Sequence, residues 1–99
     1  MKGINLVRDI AIKYNLDGIR NIDHSLRLLN HMKKFGTVTS FKFMRDPVTE
    51  ERTGLAFASF LHYDSAASAL RERRQTVAGL PALADTIDVT PFKKTVQSV

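Results

Sequence analysis

The sequence predicts an α+β sandwich: a four-stranded antiparallel sheet with two helices on one face. Two observations predict it. Apolar periodicity switches between strand and helix spacing in the order strand, helix, strand, strand, helix, strand over residues 10–91. The third strand also carries small residues on one face and large apolar ones on the other, as a sheet covered by helices on a single side requires.

The first strand is read over Ile10-Ala11-Ile12-Lys13-Tyr14, with Ile10 and Ile12 facing inward. Asn15-Leu16-Asp17-Gly18 follows as a loop. Asp23 or Ser25 is the expected cap of a helix running to about Phe35, with Leu28, Met32 and Phe35 at helical spacing. Lys33 and Lys34 suit the negative end of its dipole, and Gly36 stops it.

Val38 to Met44 is a second strand. Phe41 and Phe43 share one face, Lys42 and Met44 the other. The polar stretch from Arg45 to Thr53, with Pro47, is a hairpin loop. Gly54 to Leu61 is the third strand: Gly54, Ala56, Ala58 and Phe60 inward, Leu55, Phe57 and Ser59 outward. Asp64 is the expected cap of a second helix carrying Ala66, Ala69 and Leu70, with Arg71, Arg73 and Arg74 at its end on the helical side. After a loop marked by Gly79, Pro81 and Asp85, Thr86 to Thr90 alternates as a fourth strand closed by Pro91. The right-handed crossover rule then leads to the split β-α-β-β-α-β, ferredoxin-like arrangement.

Ninety-nine residues make one domain, read here over 10–91, with flanks at 1–9 and 92–99. No apolar run approaches the roughly 20 residues that span a bilayer. Residues 1–14 lack the apolar core and cleavage site of a secretory signal. There are no cysteines, and His24, His31 and His62 lack metal-ligand spacing, so neither a metal nor another cofactor is expected. Fifteen Lys and Arg against ten Asp and Glu give a formal net charge of +5, which makes a polyanion the first partner to consider.

At the segment from Gly36 to Phe60 the chain resembles the RNA-recognition-motif family. The segment reads without a gap as that family's second strand, hairpin loop and third strand. The family octamer has the form K/R-G-F/Y-G/A-F-V-x-F/Y. Thr53-Gly54-Leu55-Ala56-Phe57-Ala58-Ser59-Phe60 occupies it, matching at Gly54, Ala56, Phe57 and Phe60. Arg45-Asp46-Pro47-Val48-Thr49 and the helix from Asp64 to Leu70 are similar to the family as well.

The resemblance implies a non-catalytic domain that binds single-stranded RNA on its open sheet face, where aromatic side chains stack on bases and cations neutralise phosphates. It implies Phe57 as the stacking residue, with Leu55, Ser59, Lys42, Met44, Lys13 and Tyr14 around it. Arg45 and Arg52 flank the hairpin loop, and Lys93 and Lys94 follow the fourth strand. Family habit adds an RNA-processing ribonucleoprotein inside the cell, the nucleus ahead of mitochondrion or cytoplasm.

The chain departs from the pattern. Thr53 replaces the octamer's basic residue and Leu55 its first aromatic. On the first strand the outward position is Ala11 or, in the alternative register, Ile12; neither is aromatic. Asp88 is expected to face outward and repel phosphate. Phe57 has a second reading, as an aromatic covered by the C-terminal tail. With Leu55 and Met44 it also makes an apolar patch suited to a protein partner, the alternative function. An acylphosphatase-like loop has only a faint echo in Gly18-Ile19-Arg20-Asn21, without the glycines of a phosphate cradle.

Overall fold

The computed structural model describes residues 7–92. Its strands and helices are β1 (Asp9–Lys13), α1 (Ile22–Lys33), β2 (Val38–Arg45), β3 (Arg52–Phe60), α2 (Tyr63–Leu70), β4 (Arg74–Thr76) and β5 (Thr86–Pro91). Short 3-10 turns occupy Leu16–Gly18 and Ala82–Ala84. The sheet is antiparallel throughout, in the order β2-β3-β1-β5-β4. The β-α-β-β-α-β core is the expected one, and the predicted fourth strand is β5. The sheet has five strands rather than four, because Arg74–Thr76 pairs along the edge of β5.

The inner sheet face buries Ile10, Ile12, Ala56, Ala58, Phe60, Ile87 and Val89 against Leu28 and Met32 of α1 and Ala66 and Ala69 of α2. Each fully buried branched or aromatic side chain contributes roughly 1.5–3 kcal/mol. Ala56 and Ala58 lie on the inner face of β3, where α2 packs close. In β2 a register shift between Val38 and Ser40 keeps both Val38 and Phe41 on the core side. A regular strand would place residues three apart on opposite faces, so the bulge is what reconciles them.

Asn21, not Asp23 or Ser25, caps α1: its side chain accepts from the His24 amide at 2.9 Å while its backbone stays extended. Asp23 sits inside the first turn, favouring the dipole and pairing with Arg27 at 3.8 Å. The helix ends at Lys33, and Gly36 follows at φ +151°. A Cβ on Gly36 would run into the Ser65 hydroxyl, so this glycine also lets the end of α1 dock on the start of α2. For α2, His62 occupies the cap position without a side-chain bond, and Asp64 lies within the first turn. Among the described residues no helix is long and apolar enough to cross a membrane.

Candidate nucleic-acid interface

The strand register fixes what the uncovered face presents. One row runs Arg74, Asp88, Lys13, Leu55 across β4, β5, β1 and β3. The next runs Thr90, Ala11, Phe57, Lys42 across β5, β1, β3 and β2. A third holds Asp9, Ser59 and Ser40. Phe57 therefore projects from a central strand, half-buried, with Ala11 on one side and Lys42 on the other. Ala11 takes the outward position of β1 and Ile12 is fully buried, which decides between the two registers left open by the sequence. Leu55 is half-buried and Met44 exposed.

A second aromatic joins this face. The Phe92 ring lies against that of Phe57, centroids 4.7 Å apart and planes at 42°. The sequence pattern closes the fourth strand at Pro91 and puts Phe92 in the tail. In the structure Pro91 pairs with Ile10 and the Phe92 amide donates to the Asp9 carbonyl at 3.0 Å. Proline is tolerated because β4 pairs only with Thr86, Ile87 and Asp88, leaving the far side of β5 without a partner at Pro91. The available signal was parity: Phe92 is two residues from Thr90 and four from Asp88, both outward.

The charges are arranged differently from the expectation. Asp88 faces outward, but Arg74 stands opposite it and its Nε lies 3.3 Å from the carboxylate. Arg74 belongs to the edge strand and the open face rather than to a helix end. The repulsion expected from Asp88 is offset within the sheet. The Ser59 hydroxyl donates a hydrogen bond to the Asp9 carboxylate, so that hydroxyl is engaged within the domain.

Three expected interface residues lie elsewhere. Tyr14 follows Ile10 and Ile12 onto the inner face, where it is buried edge-on against Phe43, centroids 5.5 Å apart. Its hydroxyl has no hydrogen-bond partner of good geometry. Burial pushes the phenol pKa up; Arg52, the nearby Gly54 backbone and Arg45 oppose that, without a completed bond. Arg52 also turns inward, its guanidinium 4.0 Å above the Phe43 ring and bonded to the Ser25 hydroxyl at 3.2 Å. Arg45 pairs across the strands with Arg52 and donates to the Glu50 carbonyl at 3.0 Å. Together with Arg20 and Asn21 these two arginines border a cleft at the start of α1. Parity carries both inward, since Arg45 is two residues from Phe43 and Arg52 two from Gly54; Gly54, at φ +94°, a backbone angle that favours glycine, lies beside the register shift between Phe43 and Arg45. Lys93 and Lys94 lie outside the described residues.

The hairpin loop is held by its own bonds. The Asp46 carboxylate accepts from the amides of Val48 and Thr49 at 2.7 and 3.1 Å, which holds its pKa below the usual value. The Glu50 amide donates to the Asp46 carbonyl at 2.7 Å.

Residues 24–80, more than half of the chain, match the family described as the RNA recognition motif. The chain belongs to that family. Solved structures with the same fold include the RRM of RNA15, at 22% identity and a TM-score of 0.63 over 87% of this chain and 90% of that one. The RNA-binding domain of Hrp1 in complex with RNA matches at 25% identity and a TM-score of 0.62, over 91% of this chain and 48% of that one. The Sxl-lethal protein–RNA complex matches at 16% identity and a TM-score of 0.62, over 91% and 52%. The chain thus spans about half the length of the Hrp1 and Sxl-lethal chains. No curated protein sequence matches the chain. Within the RRM, the octamer position on β3 is filled by Phe57, as the sequence resemblance implied, while the pairing of Phe57 with Phe92 is a feature of this chain's own packing.

Proposed function

We propose that this RRM binds single-stranded RNA on its open sheet face, with Phe57 and Phe92 as the stacking surface and Lys13, Lys42 and Arg74 as the phosphate contacts. Leu55 and Met44 add apolar contact, and Lys93 and Lys94 extend the same proposal along the tail. The observation that carries the reading is the outward Phe57, held on a central strand beside Lys42 and against Phe92. Stacking on aromatic faces is tolerant of base identity and contributes about 1–3 kcal/mol per base. Two adjacent rings and three cations suit a modest, salt-sensitive affinity rather than a tight, sequence-selective one. The Hrp1 and Sxl-lethal structures, both RNA complexes, support the same reading.

The proposal includes the RNA-processing, nuclear setting on the strength of the family resemblance; co-purification of RNA-processing proteins with the chain tests it. The binding reading itself is tested by NMR titration with short single-stranded RNAs. Shifts clustered on Lys13, Lys42, Leu55, Phe57 and Phe92 are expected. Shifts confined to α1 and α2, or no salt-dependent binding at all, refute it. A protein that moves the Leu55 and Met44 resonances when RNA does not would favour the interaction-module alternative.

A further inference from the structure

We propose that the RNA path does not stop at the sheet but continues over the β4 edge into a basic cleft between α1, α2 and β4, where Lys34 and Arg71 hold backbone phosphates. This rests on the sheet-face reading and extends it. The cleft has a volume of about 530 Å³ and is bordered by Lys34, Arg71 and Arg74, with Glu72 as its one carboxylate. Among the described residues neither Lys34 nor Arg71 takes part in an ion pair. Two cations with no counter-ion in the fold raise the local concentration of a polyanion.

Continuity with the open face comes from Arg74. Its side chain is 76% exposed and stands in the same row as Lys13, yet it also borders the cleft. The barrier between the two surfaces is a strand of only three residues. A chain lying across Phe57 and Phe92 and leaving past β5 meets Arg74 first and the cleft next.

The floor of the cleft is fixed by bonds made within the fold. The Gln75 amide nitrogen donates to the carbonyls of Ala69 and Glu72, each at 2.7 Å. Its oxygen accepts from His31 Nε2 at 2.7 Å, and the His31 ring sits edge-on to Phe35. These groups are mutually satisfied and offer little to a base edge, so the cleft reads charge rather than sequence. An acidic protein segment would answer to the same charge. RNA is favoured because Arg74 joins the cleft to the face that carries the aromatic pair.

The test uses the full chain and fluorescein-labelled oligouridines of two lengths, about four nucleotides to cover the sheet and about twelve to reach the cleft. In the double variant Lys34→Gln/Arg71→Gln the short oligonucleotide should bind as it does to the wild type, within about twofold. The long one should lose about tenfold in affinity, and its slope of log K against log salt should fall by about 1.4, the value for two single-strand phosphate contacts. Unchanged affinity and slope for the long RNA, with short-RNA binding intact, overturns the inference alone. Polyglutamate shifting the Lys34 and Arg71 resonances where long RNA does not assigns the cleft to an acidic protein and overturns it as well. Failure of the short RNA to bind the wild-type chain refutes the sheet-face reading instead, and the cleft as its continuation falls with it.

Discussion

Phe92 lies against Phe57 at a 4.7 Å centroid separation, so the outward aromatic of β3 is partly covered by the residue that follows the last strand. The two readings of Phe57 left open by the sequence, base platform and tail-covered aromatic, meet in one arrangement. The covering residue is itself aromatic, tilted by 42°, and leaves Phe57 half-exposed on the face it shares with Lys42.

Phe57→Ala should weaken binding to a short single-stranded RNA by about 1–3 kcal/mol, roughly 5- to 150-fold. Phe92→Ala should weaken it less, because Phe92 sits at the end of the sheet and Phe57 at its centre. Fluorescence anisotropy with each variant measures both. Tighter binding by Phe92→Ala would show that Phe92 is a lid and not a second platform.

Arg74 and Asp88 predict a non-additive pair. Arg74→Ala removes a cation and also leaves the Asp88 carboxylate uncompensated on the open face, so RNA affinity should fall by more than one lost phosphate contact explains. In Arg74→Ala/Asp88→Ala most of that excess should return. The change in stability should stay within about 1 kcal/mol, since the pair is exposed on the arginine side. Binding and denaturant melts of the three variants close the cycle; simple additivity in the binding data would refute the coupling.

His31 sets a pH dependence. It is buried, which pushes its pKa below the ordinary histidine value; the Gln75 bond works against that shift and Lys34 adds to it. The unfolded chain takes up this proton near pH 6.5, while the folded chain holds the ring neutral to lower pH. Stability should therefore fall as pH drops from about 6.5 to the lower folded pKa and level off below it, the slope following proton uptake by the unfolded state. Urea melts of wild type and His31→Phe between pH 5 and 8 should differ in slope over that window (roughly the range in which histidine titrates). Parallel curves would count against the assignment.

Tyr14→Phe removes a buried hydroxyl that has no good partner, so the melting temperature should hold or rise. Tyr14→Ala, which also removes the ring packed on Phe43, should cost about 3–5 kcal/mol. RNA binding by Tyr14→Phe should match the wild type, because the side chain lies on the helical side of the sheet. Loss of affinity without loss of stability would return Tyr14 to the interface.

Much of the candidate site was legible in the sequence. Alternation along Ile10 to Tyr14, Val38 to Met44 and Gly54 to Leu61 determines which side chains turn outward, so Phe57, Leu55, Lys42 and Lys13 are placed on the open face from residue order. Parity fails where a strand is bulged or a turn is made by long-range contacts. Val38 and Phe41, three residues apart, both reach the core across such a bulge, whereas Arg45 and Arg52 keep the parity of Phe43 and Gly54, so their inward turn is legible once they are counted with the strands rather than with the loop.

By itself, then, the sequence determined the order of strands and helices, the core positions Ile10, Ile12, Leu28, Met32, Ala56, Ala58 and Phe60, and the outward placement of Phe57. Those follow from local periodicity, which is fixed by backbone geometry and needs no partner. Only the tertiary structure decided that Arg74 forms an edge strand opposite Asp88, that Asp9 engages the Ser59 hydroxyl, and that the Phe92 ring lies against Phe57. Each of these depends on residues far apart in the chain meeting at one register, and the free energy that selects the register comes from the packed sheet as a whole.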